Sequence, residues 1–200
     1  LTAYHYKELQ LEKDGKLVLN LEQVKIDLSL LKLFLGNVSV DISSDKINGY
    51  LSLTFNKKIK SELSFKNISF DTDLLKIPSS ISFSAFMDGR LKINRDLVSI
   101  EFNLNEINWR SFEIEGNKLP YDIFTKARGG IEIIGDKVNI KSFGFEGDRG
   151  YARLIGDIAQ GKSNLFIEIF PKDFSDPYML PFFEYKQSSG YYKIPVSLKK

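Results

Sequence analysis

Val98-Ser99-Ile100-Glu101-Phe102-Asn103-Leu104 alternates apolar and polar side chains without a break. A β-strand points successive side chains to opposite faces, so this period of two marks a strand with one apolar face. The alternation recurs outward in both directions. Upstream it runs through Leu17, Leu19 and Leu21, then Val24, Ile26 and Leu28, then Val38, Val40 and Ile42. Downstream it returns in Ile131 and Ile133, in Val138 and Ile140, and in Ile194, Val196 and Leu198. Turn-type pairs sit between the runs: Asp14-Gly15, Asp88-Gly89, Gly135-Asp136 and Gly147-Asp148. The pattern predicts an all-β chain of about a dozen strands in an antiparallel meander. The expected architecture is an elongated, curled sheet, a taco-shaped groove built of repeating hairpins, with residues 1–200 as one domain.

Helical signals are short. Ser29 can cap Leu30 to Leu35, with Gly36 closing the turn. Asp71 or Thr72 can cap a turn through Leu74 and Leu75 that stops before Pro78. A third helical piece is expected within Asp176 to Tyr185.

Composition narrows the function classes. The chain has 200 residues, 28 Lys and Arg against 26 Asp and Glu, and a net charge of +2. That balance argues against a nucleic-acid binder held by charge. There is no cysteine and one histidine, which excludes disulfides, thiol catalysis and cysteine- or histidine-cluster metal sites. A compact chain of this mass would expose roughly 9,600 Å². No stretch approaches the ~18 consecutive apolar residues of a membrane helix. The start at Leu1 shows neither Met nor a signal-peptide core, as expected of a processed protein or one lacking its N-terminal segment.

Three segments share a spacing of 40 residues: Gly49-Tyr50-Leu51-Ser52-Leu53, Gly89-Arg90-Leu91-Lys92-Ile93 and Gly129-Gly130-Ile131-Glu132-Ile133. Read as strand starts, they suggest a stacked β repeat, although a glycine opening a strand after a turn gives the same pattern without one.

The segments Leu28-Ser29-Leu30-Leu31-Lys32-Leu33-Phe34-Leu35-Gly36-Asn37-Val38 and Asn48-Gly49-Tyr50-Leu51 resemble the AsmA-like family. Within that family the C-terminal half is most similar to the group of the bacterial type II secretion system protein N. The matching stretches are Gly129 to Val138, Phe143 to Asp148, Leu154 to Ile158, and Tyr191 to Leu198, with Ser197 where that pattern tends to carry Gly. The resemblance implies a non-enzymatic accessory protein facing the periplasm of a Gram-negative bacterium and anchored to the inner membrane. It implies other secretion components as partners. Relatives of this shape are linked to lipid transfer, so a phospholipid or fatty acid is the implied ligand, with no other cofactor.

The candidate groove lining consists of Ile26, Leu28, Val38, Val40, Leu51, Leu53, Phe55, Leu63, Phe65, Phe83, Leu91, Ile93, Ile100, Phe102, Leu104, Ile131, Ile133, Val138, Ile140, Phe143, Phe145, Leu165, Ile167 and Ile169. Such a lining could hold acyl chains at about 0.8 kcal/mol per buried methylene. The alternative is a closed apolar core in a purely structural docking module. Tyr178, Met179, Leu180, Phe182 and Phe183, between Pro177 and Glu184, form a candidate end cap or docking element. Trp109 reads as a core plug or a partner anchor, and His5 lacks a second histidine for metal or triad chemistry. Asp71, Asp73, Asp136 and Asp148 read as turn residues. Gly147-Asp148-Arg149-Gly150 lacks the helix of a phosphate loop. Lys57-Lys58-Ile59-Lys60 reads as a solvated edge strand, or as a contact for anionic lipid headgroups.

Overall fold

The structure is a computed structural model. It describes residues 2–13, 16–29, 32, 36–54, 58–72, 81–114, 117–118, 124–160, 162–173, 175 and 177–196. Their strands are β1 (Thr2–Lys13), β2 (Lys16–Leu28), β3 (Asn37–Ser43), β4 (Ile47–Thr54), β5 (Ile59–Asp71), β6 (Ile81–Asn94), β7 (Leu97–Ile114), β8 (Asn117–Lys118), β9 (Lys126–Ile134), β10 (Lys137–Gly147), β11 (Gly150–Ala159), β12 (Lys162–Pro171) and β13 (Tyr192–Val196). A 3₁₀ helix, Pro177–Tyr185, joins the last two. Apart from β8, which only pairs with β7, each strand lies antiparallel beside the next from β1 to β13. The two ends do not pair, so the sheet is open and curled and is not a barrel.

The register explains the period-two pattern. Residues directly paired across antiparallel strands share a face. One row of pairs crosses all twelve strands of the meander: Tyr4, Ile26, Ile42, Gly49, Leu63, Leu91, Ile100, Ile131, Ile140, Gly156, Leu165 and Val196. A parallel row alternates aromatic and small residues: Phe65, Gly89, Phe102, Gly129, Phe143. The next runs Ile68, Met87, Leu104, Ala127, Phe145, Ala152, Ile169, Tyr192. None of these three rows carries an ionisable acid or base, apart from tyrosine. The opposite face carries ion pairs instead: Glu62 with Arg90 and Lys92, Glu132 with Lys141, and Glu146 with Arg128.

Large and small residues alternate because neighbouring strands lie only ~4.8 Å apart. A Cβ on Gly89 would meet the Phe65 ring at 2.7 Å and the Glu101 carbonyl oxygen at 2.2 Å. A Cβ on Gly129 would meet Phe102 Cζ at 2.7 Å. The three glycines of the 40-residue spacing therefore lie inside strands rather than at their starts, where sequence had placed them.

Several other expectations are corrected. Asp88-Gly89 is not a turn but the middle of β6. Asp88 accepts hydrogen bonds from the Asn67 N–H (2.8 Å) and Asn105 Nδ2 (3.3 Å), fastening both neighbouring strands. The register slips beside both contacts, and Asn67 and Glu106 take left-handed φ values of 52° and 54°. The actual turn after β6 is at Arg95-Asp96. Gly135-Asp136 turns as expected, and the next hairpin turns at Asp148-Arg149. Lys58, Ile59 and Lys60 do not guard an edge, because β5 lies between β4 and β6. Asp71 ends β5 and pairs with Arg110 at 2.5 Å, and the turn it was expected to cap lies outside the described residues. Asp14-Gly15, Phe55, Lys57, Asp73, Leu198 and most of the two N-terminal helical turns lie outside the described residues.

The surface is 12735 Å², about a third above the compact-chain expectation. The excess has a geometric cause. A single-layer sheet covers an apolar face only where something packs onto it.

Candidate functional site

Cover is present at one end of the apolar face. The aromatic residues Phe83, Trp109, Phe112, Phe124 and Phe145 stack there with centroid separations of 4.8–6.3 Å. Trp109 Nε1 donates to the Phe124 carbonyl at 2.6 Å, which satisfies the indole inside the cluster. Trp109 is thus a core plug and not an exposed anchor. The 3₁₀ helix adds Met179 and Phe182 to the same buried cluster, where they meet Ile167, Ile169, Tyr192 and Ile194. Phe182 and Ile194 are fully buried. The helix also turns Leu180 (69% exposed) and Phe183 (65%) outward. Tyr178 has no described side chain.

Cover fades along the strands away from this plug. Of the candidate lining, Phe83, Leu104, Phe145, Leu165, Ile167 and Ile169 are buried. The Phe/Gly row and the row beyond it, including Phe65, Phe102, Phe143, Leu91, Ile100, Ile131 and Ile140, are half-buried. Ile26, Leu28, Val40, Leu63, Ile93, Ile133 and Val138 are half-buried as well. At the far end Val38 (39%), Leu51 (42%) and Leu53 (44%) are exposed. Every described lining candidate lies on the one face, which is plugged at one end and open at the other. The open end lies where β4 passes into β5, β6 into β7, β9 into β10 and β11 into β12.

A second feature was not legible from the alternation. On the polar face, Gly130, Arg90, Arg128, Lys141, Glu101, Asn103 and three serines surround a hollow of about 600 Å³. Gly130 has no neighbour nearer than 3.9 Å to a would-be Cβ. The Gly129-Gly130 pair thus serves both faces: Gly129 admits the Phe102 ring and Gly130 leaves the hollow. Two adjacent glycines within a strand were the available signal.

Acid–base and metal chemistry find little here. No group of three or more His, Cys, Asp or Glu that could hold a metal occurs among the described residues. His5 is exposed on edge strand β1. Asp173 has its carboxyl held below its usual range by hydrogen bonds from the Ser175 hydroxyl and the Ser175 N–H, but it is fully exposed after β12. Among the described residues, the three apolar rows can shelter hydrocarbon, and their ionisable side chains are Tyr4 and Tyr192.

No family model, curated protein or solved structure matches the chain. No helix among the described residues is long and apolar enough to cross a membrane.

Proposed function

We propose that this chain is a non-enzymatic, AsmA-like module of the type II secretion protein N kind, working in the periplasm, and that its apolar face holds the acyl chains of a lipid. The observation that carries the reading is the row from Tyr4 to Val196: apolar or glycine at every strand, plugged on one side and uncovered on the other. Burying a methylene against it is worth about 0.8 kcal/mol, so a chain of a dozen or more methylenes offsets its lost freedom. The secretion context and periplasmic location rest on the family resemblance.

A structural docking role is the second reading, favoured by the outward Leu180 and Phe183 on the 3₁₀ helix. A fluorescent fatty acid titrated into protein purified without detergent separates the two. The lipid reading expects saturable binding that Leu51→Asp/Leu53→Asp weakens at least tenfold with the circular dichroism spectrum unchanged. Absence of saturable binding in the unmodified protein would overturn it and leave docking as the better account.

A further inference from the structure

We propose that the open end of the sheet is a docking surface for an anionic lipid bilayer. Lys58 and Lys60 protect no sheet edge, since β5 is interior. They lie at the open end of the apolar face, in the β4–β5 connection and the first residues of β5. The neighbouring turns bring exposed cations to the same end: Arg95 after β6, Lys137 at the start of β10 and Lys162 at the start of β12. Against these five, the described residues of these turns offer two exposed acids, Asp96 and Asp136. Asp157 partly engages Lys137 at 3.7 Å.

The same end presents unburied hydrocarbon. Val38, Leu53 and Ile59 form the outermost apolar row of paired residues on these strands, and Ile59 is 41% exposed. Ile134, beside the β9–β10 turn, is 56% exposed. Exposed apolar side chains and exposed cations at the same end match the chemistry of an anionic leaflet. The cations meet phosphate and the hydrocarbon enters the headgroup boundary. A protein partner would be met as well by either feature alone. The combination, at the end where the apolar face is uncovered, favours a bilayer, which would then supply or receive lipid directly. Val38 and Leu53 are shared with the proposed lipid-holding face, but the cations are not, so the charge-reversed triple is the variant that separates docking from acyl binding.

The test is co-sedimentation of the full chain with vesicles of phosphatidylcholine, alone or mixed with phosphatidylglycerol. The proposal expects binding to the mixed vesicles that weakens steeply with salt, and little to phosphatidylcholine alone. Lys58→Glu/Lys60→Glu/Arg95→Glu should lower the affinity at least tenfold. Arg149→Glu/Lys172→Glu/Lys186→Glu, equal in net charge but at the plugged end, should lower it less than threefold. Leu53→Ser/Ile59→Ser should weaken binding while leaving its salt dependence in place. Circular dichroism of each variant separates lost docking from lost folding. Equal losses from the two charge-reversed triples, or binding indifferent to phosphatidylglycerol, would overturn the proposal. Lipid extracted from the same triple variants reports separately on the acyl-binding rows.

Discussion

The Phe102 ring lies against Gly129 on the adjacent strand, so close that a Cβ there would sit 2.7 Å from Phe102 Cζ. The ring reaches over the glycine to meet Phe143, one strand further on, edge to face with centroids 5.2 Å apart. Phe65 lies on Gly89 in the same manner. Each glycine lets an aromatic ring cover its strand, which ties neighbouring hairpins together on a sheet that has no second layer at this point.

Replacing these glycines should therefore destabilise the fold without disturbing any turn. Gly129→Ala meets a ring that can shift and, less closely, the Ser142 carbonyl oxygen at 3.0 Å, and should cost about 1–2 kcal/mol. Gly89→Ala also meets the Glu101 carbonyl oxygen at 2.2 Å, so the backbone must move and the cost should reach about 3 kcal/mol. Urea denaturation of both variants checks the order. Equal, negligible effects would mean that the rings do not rest on the glycines.

Trp109 is the chain's one tryptophan and is 9% exposed. Its fluorescence should be blue-shifted in the folded protein and shift to the red on unfolding. Trp109→Phe keeps most of the ring contact but leaves the Phe124 carbonyl without its donor, at a cost of about 1–3 kcal/mol. Trp109→Ala should cost about 3–5 kcal/mol. Thermal melts followed by circular dichroism give both values.

The adjacent phenylalanines of the 3₁₀ helix should part company. Phe182, fully buried in the plug, should lose about 3–5 kcal/mol on replacement by Ala. Phe183, 65% exposed, should lose no more than about 0.5 kcal/mol. Comparable losses at both sites would mean that the helix docks through a different face.

Arg153 on β11 pairs with Glu168 on β12, whose side chain is only 5% exposed, and the guanidinium also lies 5.5 Å from the Phe170 ring centroid. Arg153→Met removes both contacts and leaves a buried carboxylate unpartnered. Because Arg153 is itself half exposed, water screens part of the loss, and about 1–3 kcal/mol is expected. Adding Glu168→Gln should recover part of it. A double-mutant cycle with no coupling would contradict the pairing.

The strands were legible because one wet face and one dry face force a period of two, and runs such as Val98 to Leu104 carry that period cleanly. The rows were legible as a face but not as a register. The slips beside Asn67 and Glu106 place non-glycine residues at positive φ; asparagine is a residue type that tolerates this region, but nothing in the glutamate side chain announces it. Glycine misled in one direction: Asp88-Gly89 has the composition of a hairpin turn, yet here the glycine makes room for a ring and the aspartate fastens two strands. Lys58 and Lys60 misled through topology, since only pairing shows which strand is an edge. The plug was visible as an apolar cluster from Tyr178 to Phe183. Which of its side chains turn inward depends on the 3₁₀ path, where a period near three separates Met179 and Phe182 from Leu180 and Phe183. The surface was underestimated because mass scaling assumes an interior on both sides of every layer, and this sheet has cover at one end only.

The measurement that bears most directly on the account is mass spectrometry of an organic extract from protein purified without detergent, beside an unrelated β-protein treated identically. An acyl-bearing lipid at near one molecule per chain, greatly reduced in Leu51→Asp/Leu53→Asp, is the predicted result. An extract no richer in lipid than the control, from protein whose Trp109 emission shows it to be folded, would contradict it.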